Sequence, residues 1–122
     1  HIEDNEQICL MEWAAAQSGK FPELSLIFHI PNGGKRNARE ASRFKRMGVK
    51  AGVPDLFLPV PRGGCHGLFI ELKAPRGRLS DYQCGWLESL KASGYAFSVC
   101  YGCNEAQRDI LEYLELGKQN RR

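Results

Sequence analysis

The chain has 122 residues, enough for one hydrophobic core and too few for two. Apolar residues make up 43% and charged residues 25%, which excludes a disordered segment, and no apolar run is long enough to span a membrane. Seventeen Lys and Arg against fourteen Asp and Glu give a net charge of +3, which permits a polyanionic partner without demanding one.

Five scattered cysteines (Cys9, Cys65, Cys84, Cys100 and Cys103) do not form a disulfide framework and suit a reducing compartment. Cys100-x-x-Cys103 lacks a second ligand pair and reads as packing rather than as a zinc site. The expectation is a single domain over 1–122, soluble and cytoplasmic, with a polar tail at 117–122. No membrane association and no organic cofactor are expected.

In chain order, residues 3–17 read as a helix whose acids gather at its positive end. Cys9, Leu10 and Trp13 follow Glu6 by three, four and seven positions, so Glu6 stands in line with the apolar stripe. A carboxylate there is costly unless paired or bound to a metal. Ser18-Gly-Lys-Phe-Pro22 breaks the helix, and Leu24 to Ile30 reads as a strand, with His29 near its end as a structural residue. Pro31-Asn-Gly-Gly34 is a turn.

A second helix is predicted over 37–47. Arg36, Arg39, Arg43, Arg46 and Lys50 are spaced 3, 4, 3, 4 along one face, with Lys35 and Lys45 nearby and only Glu40 of opposite sign. Ala38, Ala41, Phe44 and Met47 are placed on its inner side. A stripe this uniformly positive suits the phosphates of a nucleic acid, which position a duplex without reading its sequence.

Gly52 to Lys73 reads as two short apolar strands around a glycine-rich turn. Alternation puts Glu71 and Lys73 on one face and Leu68, Ile70 and Leu72 on the other. With the turn centred on Gly64, Asp55 stands opposite Lys73 and Phe57 opposite Glu71, so the three charges cluster at one end of a hairpin. Two carboxylates at such a rim can hold a hard divalent cation whose shell is completed by water and phosphate oxygen, and an adjacent lysine can orient the attacking water.

Ala74-Pro-Arg76-Gly-Arg78 is a basic loop. Ser80 and Gln83 have the form of a capping box that opens a helix, with Trp86, Leu87 and Leu90 on its apolar face and Gly94 at its end. Tyr95 to Tyr101 is a further strand. Asn104 and Gln107 open a last helix whose Ile110, Leu111 and Leu114 face inward. The order helix, strand, helix, hairpin, helix, strand, helix implies an α/β domain with a mixed sheet and helices on its faces.

Gly52-Val-Pro-Asp55, Phe-Ile-Glu71-Leu-Lys73-Ala-Pro and Gly77-Arg-Leu-Ser-Asp-Tyr-Gln83 together resemble the VRR-NUC family, the virus-type replication-repair branch of the PD-(D/E)xK nucleases. The likeness extends back through Ile30-Pro-Asn-Gly-Gly-Lys35 to the first helix. It implies a restriction-endonuclease-like core and a Mg²⁺- or Mn²⁺-dependent DNA endonuclease. Asp55 and Glu71 would be metal ligands, with a helix-borne acid matched to Glu6 (Glu12 and Glu3 being the alternatives) and the Leu72 main-chain carbonyl.

Lys73 would act on the water and Gln83 would assist, a role that competes with its capping role for one amide. Asn32 lies in the loop that the family sets near the active site. Lys35, Arg36, Arg39, Arg43, Arg46, Lys50, Arg76 and Arg78 would hold the DNA backbone. Stand-alone members resemble phage or prophage homodimers that cut branched DNA such as four-way junctions, which implies a bacterial or phage-infected cytoplasm. An inactive nucleic-acid-binding module of the same fold is the alternative.

Overall fold

Short apolar strands that alternate in side-chain direction build a sheet with two unlike faces, and the helices sort themselves onto those faces. The computed structural model describes residues 2–32 and 37–117. Among them the order is α1 (Ile2–Gln17), a 3-10 turn (Pro22–Leu26), β1 (Phe28–His29), α2 (Ala38–Arg46), β2 (Leu56–Leu58), β3 (Leu68–Leu72), α3 (Asp81–Ala92), β4 (Ala96–Cys100) and α4 (Cys103–Glu115). The polar tail expected after Gly117 and the basic residues Lys35 and Arg36 lie outside the described residues. No helix among those described is long and apolar enough to cross a membrane.

The sheet runs β1-β2-β3-β4, with antiparallel β1–β2 and β2–β3 pairs and a parallel β3–β4 pair. The parallel pair needs a crossover, and α3 supplies it. Leu56, Leu58, Leu68, Ile70 and Leu72 point to one face and are essentially sealed from solvent. Leu10 and Ala14 of α1 and Ala106, Ile110 and Leu114 of α4 complete that core. Burying each such side chain contributes about 1.5–3 kcal/mol. The opposite face carries Phe57, stacked on Phe69 at 4.2 Å, with Tyr95 edge-on to Phe69 at 5.2 Å. Trp86, Leu87 and Leu90 of α3 are only half-buried. A buried Arg62 ties the hairpin to the rest of the molecule through Glu23 (2.6 Å) and the Leu114 carbonyl (3.1 Å).

Four expectations are corrected. Leu24 to Ile30 is not one strand. Pro22 starts a 3-10 turn that buries Leu24 and leaves Leu26 exposed, so only Phe28 and His29 pair with β2. The hairpin register differs by two residues, pairing Leu56 with Ile70 and Phe57 with Phe69, so Asp55 comes level with Glu71 rather than with Lys73. No residue of α2 is buried, and Met47, expected inside, is 67% exposed. Finally, α4 starts at Cys103 after Gly102 rather than at a cap from Asn104, and no local side chain caps it.

Candidate active site

Asp55 follows the buried Val53-Pro54 pair and is half-buried where the chain enters β2, and Glu71 lies one residue before the end of β3. The Asp55 Oδ2 accepts the Leu72 N–H at 2.7 Å, a charge-assisted bond that fixes the carboxylate across the hairpin end. Glu71 is only 2% exposed, within hydrogen-bonding reach of Asp55, and its Oε1 has no hydrogen-bond partner. Two ionised carboxylates present only acceptors to one another, so this oxygen needs a shared proton or a cation. Burial, then the Asp55 charge, pushes the Glu71 carboxyl up to about 8 against the pull of Lys73. Burial likewise raises the Asp55 carboxyl, opposed chiefly by the Leu72 N–H.

Lys73 and Gln83 complete the cluster. The Lys73 Nζ donates to Gln83 Oε1 at 2.8 Å and lies 3.8 Å from Glu71 Oε2. The Gln83 Nε2 donates to Glu71 Oε2 at 3.1 Å. The same Gln83 Oε1 accepts the Ser80 N–H at 2.8 Å, while Ser80 Oγ accepts the Gln83 N–H at 3.2 Å. The expected competition between capping and site contact therefore does not arise. A carbonyl oxygen has two lone pairs, and here one serves the helix cap while the other serves Lys73.

The Glu6 carboxylate is engaged at the start of α4. Its Oε1 accepts the Cys103 N–H at 3.3 Å and so satisfies the start of α4 from another helix. Glu12 is exposed on α1. The acid of α1 that reaches the site is Glu3, whose Oε2 accepts the Ala74 N–H at 3.3 Å and whose charge raises both Asp55 and Glu71. Its position in the first turn was the available signal, and the apolar stripe pointed past it. His29 makes a structural contact, as expected. Its Nδ1 is 2.8 Å from the Asp55 carbonyl oxygen, and its charge lowers the Asp55 pKa.

The basic residues surround this cluster unevenly. Arg39, Arg43 and Arg46 are exposed along α2, and Lys50 is exposed on the segment that leads to Asp55. Asn32 is half-buried on the segment leaving β1. Arg76 and Arg78 are exposed on the loop after β3, where Arg76 takes a left-handed φ of 66° and the Tyr101 hydroxyl donates to the Gly77 carbonyl at 3.1 Å.

Among the described residues, no three His, Cys, Asp or Glu side chains converge into a preformed metal cage. Two fixed carboxylates with an orphaned buried oxygen nevertheless suit Mg²⁺ or Mn²⁺. Mg²⁺ in particular keeps several waters and takes its remaining ligands from a phosphate.

No curated protein matches the chain. A solved structure of a VRR_NUC domain protein is similar to it at 36% identity with a TM-score of 0.80, over 95% of this chain and 90% of its own. The sequence profile of the VRR-NUC domain matches residues 3–104, which include every member of the Asp55, Glu71, Lys73 and Gln83 cluster. The chain therefore belongs to the VRR-NUC domain family and has its nuclease-type fold.

Proposed function

We propose that the chain is a Mg²⁺- or Mn²⁺-dependent endodeoxyribonuclease that hydrolyses phosphodiester bonds with structural rather than sequence selectivity. One observation carries this reading: a carboxylate pair of half-buried Asp55 and buried Glu71 with an unsatisfied Glu71 Oε1, flanked by the Lys73–Gln83 hydrogen bond. Asp55 and Glu71 would hold the cation, aided by the Leu72 carbonyl and by Glu3 at the outer edge. A cation bound there supplies Lewis-acid polarisation of the phosphate and a more acidic water.

The remaining work falls to the protein's own side chains. Gln83 holds the Lys73 amine at the edge of the carboxylate pair, where it orients the attacking water and offsets charge developing on the phosphate. The Leu72 N–H orients the Asp55 carboxylate and favours its ionised form against the effect of burial. Exposed Arg39, Arg43, Arg46, Lys50, Arg76 and Arg78 hold the DNA backbone on either side of the cluster. The preference for branched DNA such as a four-way junction, and a homodimer offering two symmetric sites, follow from the family likeness.

Cleavage of labelled four-way junction, flap, single-stranded and plain duplex DNA tests this, in Mn²⁺, Mg²⁺ or EDTA, with wild type beside Asp55→Ala. Metal-dependent cutting that Asp55→Ala abolishes is the expected result. Binding without cutting by the wild type in any metal would sink the enzyme reading and favour an inactive binding module.

A further inference from the structure

Beside the carboxylate cluster, α2, the segment 49–51 and the start of α3 enclose an open cleft of about 580 Å³. Its floor and walls are apolar and aromatic, from Phe44, Val49, Tyr82 and Trp86, and among the described residues its charged lining is Lys45 and Lys50. The Trp86 indole N–H donates to the Ala51 carbonyl at 3.1 Å, which fixes the floor. Tyr82 is 72% exposed, far more than a tyrosine placed for packing. It immediately precedes Gln83, and its Cβ sits so close to Gly52 that a Cβ added there would lie 2.6 Å away. The cleft thus shares a wall with the segment that delivers Asp55.

We propose that this cleft receives an unpaired nucleotide of the substrate. Its base stacks on Tyr82 over the Phe44 and Trp86 rings, and its phosphates meet Lys45 and Lys50. The charge of the lining fixes the choice of occupant: among the described residues, two lysines and no acid suit a polyanion. Aromatic rings beside such charges are the platform on which single-stranded nucleic acid stacks without sequence preference. A fully paired duplex keeps its bases within its own stack and has nothing to insert. The proposal rests on the nucleic-acid reading of the neighbouring site and narrows its substrate class to branched DNA with unpaired nucleotides next to the cut, as at a flap, since a fully matched four-way junction leaves none to insert.

The test uses the full chain in EDTA, so that cutting plays no part. Fluorescence anisotropy compares the binding of a single-stranded oligonucleotide and a fully paired duplex by wild type, Tyr82→Ala and Tyr82→Phe. Tyr82 is exposed, so its truncation leaves the fold intact, which circular dichroism checks. The expected result is a loss of single-strand affinity on the order of 5- to 150-fold in Tyr82→Ala. Duplex affinity should barely change, and Tyr82→Phe should restore binding. A 2-aminopurine scanned along the single strand should be quenched at one position by wild type and not by Tyr82→Ala. Equal losses on both DNAs, or no loss on either, would overturn the proposal. Wild type that cuts nothing in metal but shows the Tyr82 effect would remove the nuclease reading and leave the cleft standing. Cutting without the Tyr82 effect would do the reverse.

Discussion

Glu71→Gln should make the metal-free protein more stable above neutral pH while removing its activity. The reasoning starts from the folded-state Glu71 carboxyl, which sits near 8 against an ordinary value of 4.5. A raised acid means that the folded state holds a proton which the unfolded chain has already released. Stability is then fully present below pH 4.5 and falls as pH rises through about 8, by about 1.4 kcal/mol per pH unit. Across that window the loss is on the order of 5 kcal/mol if Glu71 titrates alone, comparable with the total stability of a small domain. Glutamine keeps the shape, cannot ionise, and can donate to Asp55.

Urea unfolding followed by Trp13 and Trp86 fluorescence, in EDTA between pH 5 and 8.5, measures both proteins. Wild type should lose stability with pH relative to Glu71→Gln, the difference reaching several kcal/mol at the upper end. Saturating Mn²⁺ should reverse the difference, because the cation binds the ionised pair and stabilises only the folded wild type. Parallel pH profiles for the two proteins in EDTA would refute the claim that the buried Glu71 carboxyl holds its proton beside Asp55.

Lys73→Ala should lower cleavage by about a hundredfold or more with DNA affinity retained, since the lost group acts at the reacting centre. Gln83→Ala should cost about 1 kcal/mol in urea unfolding through the lost cap, together with a smaller drop in turnover. Glu6→Ala should likewise cost about 1 kcal/mol through the N-terminus of α4, yet leave Mn²⁺ affinity by calorimetry unchanged, whereas Glu3→Ala should weaken Mn²⁺ and spare stability. Gly52→Ala should destabilise by about 1–3 kcal/mol in urea unfolding, because it meets Tyr82 and demands a φ of +79° that alanine resists.

What the sequence disclosed depended on the range of the interactions involved. Alternation along Leu68 to Leu72 was local and assigned both faces correctly. Register was not local. Arg62 and Cys65 close a tight turn over Gly63 and Gly64, and the Pro59-Val60-Pro61 side then carries one more residue than the other. The turn centre between Gly63 and Gly64 moves the register by one residue, and the extra residue, which bulges where proline offers no N–H to the ladder, moves it by another and brings Asp55 level with Glu71. The slip is even, so the charges keep their shared face.

The contacts that Glu6 and Glu3 make have a similar origin. An apolar stripe shows which side of a helix is buried, but not which neighbouring helix needs a cap, and the demand of Cys103 arises 97 positions away. The α2 helix misled for the opposite reason. Its charge pattern was plain, but Ala41 and Phe44 line an open cleft instead of the core, and Ala38 and Met47 are exposed.

The double duty of Gln83 has an entropic consequence. A glutamine has three side-chain torsions, and freezing them for catalysis would ordinarily be charged against substrate binding. Here the Ser80–Gln83 box orders the amide as soon as α3 begins, so that cost is met during folding. The free protein therefore presents Lys73 already directed. Amide exchange at Gln83 should report how often the site is out of order, because the same local opening that frays the first turn of α3 also releases the lysine.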